Sequence, residues 1–157
     1  MTHALYQYQT NVKVDWVDHN NHMNDAAYNR VFSDATDGWL AYLGLDKDTI
    51  ENLAYTVFTL ENHVMFLKEL KVYDQVTVNV SLIDYDEKRL HCFMTLLNKD
   101  EVKCATYEVM LMGMDTNKQR PSEFPKKIKT AINDYANIVC DSDSASELGH
   151  KIEIKRK

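Results

Sequence analysis

The chain has 157 residues, of which 45% are hydrophobic and 27% are charged, and its formal net charge at pH 7 is -6. This length and balance predict one soluble domain with a sizeable core, and only four Gly and two Pro argue against a disordered chain. The negative charge argues against non-specific nucleic-acid binding, and no apolar run approaches the roughly 18–20 residues of a membrane span, so we expect neither partner.

The N-terminal third predicts a strand, a polar loop and a long helix. Residues Tyr6 to Val14 alternate loosely and indicate a strand. Asn24 has the side chain of a helix N-cap, and apolar residues then recur at steps of three and four. We expect this helix to end at Gly44, which makes it the central helix of the domain. A short polar helical turn is predicted from Asp46 to Asn52.

The remainder predicts four strands and a second helix. The strands are expected at Ala54–Leu67, Val76–Tyr85, Arg89–Leu97 and Glu101–Met114, and the helix at Lys126–Ile138 after Pro125. Short polar turns between the strands indicate an antiparallel sheet, so the fold class is α+β. One helix covers one face of a sheet, and we therefore expect a homodimer or a homotetramer. The domain is predicted over residues 1–140, with a C-terminal tail over 141–157.

Cysteine usage and the N-terminus indicate a cytoplasmic protein. Cys92, Cys104 and Cys140 are odd in number and lack metal-ligand spacing, which predicts reduced thiols rather than disulfides or a zinc site. The N-terminus has no continuous apolar core of a signal peptide. Cys92 and Cys104 are expected in the core, because no partner that would activate a thiol is evident beside them.

Polar side chains capable of acid–base chemistry are concentrated just before the long helix. The segment from Trp16 to Asn24 reads WVDHNNHMN, and Tyr28 follows in the first turns of the helix. Such a density of polar groups excludes a core strand. The helix dipole and the first backbone N–H groups, near Asp25 to Ala27, favour negative charge at this junction. A reaction that develops an oxyanion would therefore suit this place.

At this motif the chain resembles the hotdog-fold acyl-thioester hydrolases. The segment from Asp18 to Tyr28 is similar to the Asp-x-Asn-x-His-Val/Met-Asn-x-x-x-Tyr segment of plant acyl-carrier-protein thioesterases. An Asp before the central helix also resembles 4-hydroxybenzoyl-CoA-thioesterase-like proteins. Segments 32–37, 61–63, 88–91 and 149–154 look like those of betainyl-CoA thioesterases of carnitine degradation. The resemblance covers nearly the whole chain and implies a long central helix wrapped by a bent antiparallel sheet.

The resemblance implies an enzyme that hydrolyses a small acyl-CoA thioester, with betainyl-CoA as a candidate, to the free acid and CoA. Catalytic roles carry over to Asp18, Asn20 and His22, without a metal or another cofactor. Asp18 is implied as general base or direct nucleophile, and both stay open. A betainyl group is a quaternary ammonium, which aromatic faces and a carboxylate would recognise. The substrate-binding candidates are Trp16, Asn24, Tyr28, Glu61 and His63.

Each candidate also has a structural interpretation. Asp18 could cap a turn, and Asn20 and His22 could stabilise the loop through bonds from side chain to backbone. Glu61 and His63 lie two residues apart on one strand face, where they could line a pocket or form a surface pair. The alternative function is a non-catalytic hotdog module that binds acyl-CoA. The complete Asp, Asn and His set favours the enzyme, because a pure binder has no use for a carboxylate beside a thioester carbonyl.

Overall fold

A computed structural model describes residues 5–138 and 145–156, and a long helix packs on a six-stranded antiparallel sheet. In chain order the elements are β1 (Gln7–Asn11), a 3-10 helix (Val14–Trp16), α1 (Asp25–Tyr42), α2 (Lys47–Leu53), β2 (Tyr55–Phe66), β3 (Gln75–Tyr85), β4 (Arg89–Leu97), β5 (Lys103–Asp115), β6 (Arg120–Pro121) and α3 (Lys126–Ala136). The predicted α+β class, with a long central helix wrapped by a curved antiparallel sheet, is confirmed.

The central helix has the ends that its sequence predicts. The side chain of Asn24 accepts a hydrogen bond from the N–H of Ala27 at 2.9 Å, as an N-cap does. Gly44 follows the helix with a φ of 111°, a left-handed conformation that a residue with a Cβ adopts only under strain. Between these ends one face is buried, and its buried residues are Ala27, Tyr28, Val31, Phe32, Ala35, Thr36, Trp39 and Leu40.

The order of strands across the sheet differs from a simple meander. It runs β1-β3-β4-β5-β2, with β6 added beside β5, so β3 to β6 pair in the order of the sequence and β1 and β2 do not. β2 lies at the edge opposite β1, and the connection over residues 67–74 crosses from one side of the sheet to the other. The first predicted strand is also too long, because the chain leaves the sheet after Asn11 and forms a 3-10 turn.

The two faces of the sheet have different coverings. On the inner face α1 packs against alternate strand residues, and Phe32 stacks on Tyr107 with ring centroids 4.9 Å apart. We call the opposite face the outer face; His63 and Glu108, which pair across β2 and β5, lie on it. Residues 145–150 of the tail reach this face. The Nζ of Lys103 lies 3.0 Å from the carboxylate of Glu147. Part of the outer face is therefore covered by the tail of the same chain. The predicted domain boundary at residue 140 stays a prediction.

The two described cysteines lie in the core. Cys92 and Cys104 are buried as free thiols, and burial raises the pKa of both. A raised pKa keeps a thiol protonated and unreactive, which fits the expected core positions. Cys140 lies outside the described residues. Within the described ranges, no helix is long and apolar enough to cross a membrane.

Candidate active site

The loop before α1 closes around the carboxylate of Asp18. Its Oδ1 accepts hydrogen bonds from the backbone N–H of Asn20 at 2.9 Å and of His22 at 3.3 Å. The backbone of Asp18 also bonds to Asn21 and His22, and Asn21 takes a left-handed φ of 63° to complete the turn. Within residues 5–138 and 145–156, no hydrogen bond is recorded for Oδ2. One oxygen therefore fixes the side chain while the other is open to a substrate or a water.

These backbone bonds also set the charge of the site. The N–H of Asn20 holds the pKa of Asp18 below its usual 3.8, with smaller contributions from the N–H of His22 and from His19. The side chain is exposed in the protomer and is ionised throughout the neutral range. A carboxylate in this state can accept a proton from water or attack a carbonyl carbon without first losing a proton.

The loop is attached to the segment that follows β2. The N–H of Met23 donates to the carbonyl of Leu70 at 2.8 Å. The backbones of His22 and Lys71 form an isolated antiparallel β-bridge. The Nε2 of His22, which is half-buried, lies 3.5 Å from a carboxylate oxygen of Glu69. Two lysines, at positions 68 and 71, belong to this same segment. The structure thus brings the Asp18 loop and its imidazole next to a segment that carries two lysines.

Asn24 and Trp16 are joined by the backbone of the loop. Besides capping α1, Asn24 donates from both its N–H and its Nδ2 to the carbonyl of Trp16, at 2.9 Å each. The indole of Trp16 is half-buried, and the Nζ of Lys13 lies 5.2 Å from its ring centroid. The ammonium group of Lys13 lies over one face of this indole, so a cationic ligand at Trp16 would contact the other face or displace Lys13. The role of Asn24 as a substrate ligand stays a prediction beside its capping role.

Tyr28 lies behind the loop in a small cavity of about 310 Å³. Its ring is buried and meets the edge of Phe66 at a centroid distance of 5.2 Å, and its hydroxyl donates to the carbonyl of Lys68 at 3.3 Å. Burial raises its pKa to about 12, so the phenol is neutral. The cavity is lined by Met23, Asp25, Tyr28, Phe66, Leu67, Lys68 and Glu69.

Two backbone donors expected to form an oxyanion hole are already engaged. The N–H of Ala26 donates to Oδ1 of Asp25 at 2.9 Å, and the N–H of Ala27 donates to Oδ1 of Asn24 at the same distance. The expectation of free donors is therefore wrong for these two groups. The reason is local: short carboxylate and amide side chains at the start of a helix satisfy its first N–H groups.

Glu61 and His63 lie elsewhere, on the outer face of β2. They line a cavity of about 430 Å³ together with His91, Glu108 and His150, and no residue of the Asp18 loop lines it among the described residues. Both oxygens of Glu108 are engaged, one by the Nε2 of His91 at 2.7 Å and one by the N–H of Gly149 at 2.6 Å. The two groups of predicted site residues are thus separate within one protomer.

Sequence reasoning missed His91, Glu108 and His150 as neighbours of His63. The rings of His63 and His150 approach to 5.8 Å. The one signal in the sequence was the resemblance of segments 88–91 and 149–154, which gives no spatial arrangement. Despite this cluster, no group of three or more His, Cys, Asp or Glu in the described part of the chain is placed to hold a metal ion.

The chain matches one protein-family profile and is similar to named proteins of two bacteria. The profile described as the thioesterase-like superfamily matches residues 12–132. A betainyl-CoA thioesterase of Pseudomonas aeruginosa is 36% identical over 137 residues, which cover 87% of this chain and 86% of that protein. An L-carnitine dehydrogenase/betainyl-CoA thioesterase of Agrobacterium fabrum is 35% identical over 83% of this chain, which spans 27% of that longer protein.

A solved structure is also closely similar. A Staphylococcus aureus protein in complex with CoA superposes with a TM-score of 0.94 at 41% identity, over 99% of this chain and 98% of that one. The match covers nearly all of both chains, so their whole folds correspond. That protein binds CoA in its structure.

Proposed function

Because the chain belongs to the thioesterase-like superfamily, we propose that it hydrolyses a small acyl-CoA thioester to the free acid and CoA, with betainyl-CoA as the substrate. The observation that carries the proposal is Asp18: an ionised carboxylate with one oxygen fixed by two backbone N–H groups and the other oxygen open. The names of the two curated relatives support the betainyl substrate. Those names also support a place in carnitine degradation, and we propose that the enzyme works in the cytoplasm.

Two routes of hydrolysis fit the position of Asp18. As a general base, Asp18 takes a proton from water while the water oxygen bonds to the thioester carbon. As a nucleophile, its carboxylate forms an anhydride with the acyl group, which water then cleaves. On either route the C–S bond breaks and the CoA thiolate takes up a proton. Asn20 and His22 are the proposed groups that orient the water or the carbonyl and assist proton transfer.

The betainyl head group is proposed to lie against Trp16. Its quaternary ammonium has no hydrogen to donate, so an aromatic face is the suitable contact. Trp16→Ala is expected to raise KM for betainyl-CoA by roughly tenfold, because a cation–π contact is worth about 1–2 kcal/mol. The loss should be much smaller for 3,3-dimethylbutyryl-CoA, which has the same shape without the charge. Steady-state CoA release from both substrates measures this, and equal losses would argue against a cation site at Trp16.

The phosphates of CoA are proposed to meet the two lysines beside the loop. Lys68 and Lys71 follow β2 next to His22, whereas Lys118 lines a different hollow near β6. The double variant Lys68→Glu/Lys71→Glu is expected to raise KM for acyl-CoA by at least tenfold, with kcat little changed, because positive charge near the phosphates is replaced by negative charge. Lys118→Glu is the matched control and should leave KM within twofold. If the double variant and Lys118→Glu raise KM by the same factor, the phosphates bind elsewhere.

We propose that the working unit is a homodimer or a homotetramer built on the edge strand β2. Among the described residues, β2 pairs with β5 on one side and has no strand on its other side. Phe58, Leu60 and Phe66 on this strand are about half exposed. A long, apolar and unpaired edge is a template for another strand, and an identical β2 related by a two-fold axis would satisfy it.

The test of the function is CoA release measured with a thiol reagent on betainyl-, acetyl-, butyryl-, benzoyl- and long-chain acyl-CoA. We expect release from betainyl-CoA above all others. Binding of the same thioesters is measured in parallel by calorimetry. Tight binding without release from any of them would replace the hydrolase by the alternative, a module that binds acyl-CoA.

A further inference from the structure

The last described residues form an exposed arm. Residues 151–156 read KIEIKR and form neither helix nor strand, and Ile152 and Ile154 are 83% and 78% exposed, more than any other large hydrophobic residue described. Ile152 and Ile154 are two residues apart, so an arm laid on a sheet as a strand carries both side chains on the same side. The arm's recorded polar contact within the described residues is internal, between Lys151 and Glu153 at 4.0 Å. An apolar stripe of this kind costs free energy in water and needs a covering surface.

The arm begins beside the free edge of the sheet. Its preceding residues are fixed on the outer face, because Gly149 donates to Glu108 and the ring of His150 packs on His63 of β2. β2 is an edge strand and the one on which the proposed homodimer is built, so the arm begins beside that interface. Six residues span at most about 20 Å, and neighbouring strands lie about 4.8 Å apart, so an arm of this length is long enough to span the first strands of a second copy.

The distribution of charge along the chain also favours binding of the arm to a second copy. The seven residues from Lys151 to the C-terminus carry a net charge of +3, so the other 150 residues carry -9 of the total of -6. Two such acidic bodies repel each other. A basic arm laid on the second body offsets part of that repulsion.

We propose that residues 151–156 of each copy lie on the outer face of β2 of the second copy. There Ile152 and Ile154 bury against that copy's Phe58 and Leu60, which are each 52% exposed in the protomer. Phe58 belongs to the outer face because it pairs with Met112, in step with Glu108, and Leu60 lies nearby at the irregularity between Thr59 and Glu61. In such a dimer the arm of each subunit binds to the other subunit. The inference rests on the proposed homodimer, but it does not depend on the proposed hydrolysis.

Photo-cross-linking separates an exchanged arm from one that folds back. A p-benzoylphenylalanine residue is placed at position 152 of the full chain, and at Val102 in the turn before β5 as a control. On irradiation, position 152 is expected to give a dimer on a denaturing gel, with the cross-link mapped to the peptide that contains Phe58 and Leu60. Position 102 should give none. A dimeric protein whose position 152 cross-links only within its own chain would overturn the proposal.

Sedimentation equilibrium gives an independent readout. The full chain is compared with a chain ending at His150 and with Ile152→Asp/Ile154→Asp. Both changes are expected to raise the dimer dissociation constant at least about tenfold, since each removes the two isoleucines that the arm exchange would bury. Added salt should weaken dimerisation of the full chain and not of the two variants. An unchanged constant, or a monomeric full chain, would overturn the arm exchange. CoA release is measured separately, so a failure here is distinguishable from a failure of the proposed function.

Discussion

Asp18→Asn is expected to lower kcat for CoA release on the order of a thousandfold while the fold is kept. The loss follows because an amide neither accepts a proton from water nor attacks a thioester as a carboxylate does. The fold is kept because the Oδ1 of Asn can still accept from the N–H groups of Asn20 and His22, which hold the loop. The measurement is steady-state CoA release, with urea unfolding as the check on the fold.

A matched carboxylate and the pH profile make the test of Asp18 specific. Asp15→Asn removes an exposed carboxylate three residues earlier and should leave kcat within twofold. Because the N–H of Asn20 holds the pKa of Asp18 below 3.8, activity that needs this carboxylate is present above that pH and is lost as the pH falls through its pKa. A wild-type acid limb near pH 6 would assign the essential base to another group. Unchanged turnover in Asp18→Asn would remove Asp18 from the mechanism.

Gly113→Ala is expected to cause the largest loss of stability, about 2–5 kcal/mol of unfolding free energy. Gly113 lies in β5, and a Cβ there would stand 1.8 Å from the hydroxyl oxygen of Tyr55 and 3.0 Å from the carbonyl oxygen of Ser122. That hydroxyl is fixed, because Tyr55 is buried and donates to the same carbonyl at 2.8 Å. Urea unfolding at constant protein concentration measures the loss.

A double variant tests the cause of this loss. Tyr55→Phe removes the hydroxyl that the new methyl group would meet, which leaves the ring carbon at 2.8 Å as the closest Tyr55 atom. The loss of unfolding free energy in Tyr55→Phe/Gly113→Ala is therefore expected to be smaller than the sum of the two single losses by at least about 1 kcal/mol. Strict additivity would mean that Gly113 is needed for a reason other than its contact with Tyr55.

Local signals in the sequence predicted the elements because each has a short-range physical cause. Asn24 and Gly44 mark the ends of α1 through a side-chain cap and a left-handed backbone. The turn after Asp46 is likewise an Asp-capped helix, α2. Alternating residues between polar turns located β3, β4 and β5. Such patterns depend on neighbours along the chain, and the sequence displays them directly.

Long-range arrangement was less accessible. Nothing in the sequence of β2 indicates that it pairs with β5 rather than with β3, the next strand along the chain. The sequence names Glu61 and His63 as substrate-binding candidates beside Trp16, Asn24 and Tyr28 but gives no distance between the two sets, and in the protomer Glu61 and His63 line a separate cavity with His91 and Glu108. Strand alternation gives the face of a side chain only after the partner strand is known. The roles of all the candidate site residues stay predictions until the variants are measured.

The most direct test of the account is the ratio of kcat/KM for betainyl-CoA to that for 3,3-dimethylbutyryl-CoA, measured by CoA release with the wild-type protein. The two acyl groups differ in charge and not in shape. We predict a preference of at least about tenfold for betainyl-CoA, from a cation held against an aromatic face. Equal values would contradict the cation site and leave a thioesterase of different specificity. No release from either thioester by the folded protein would contradict the proposed hydrolysis itself.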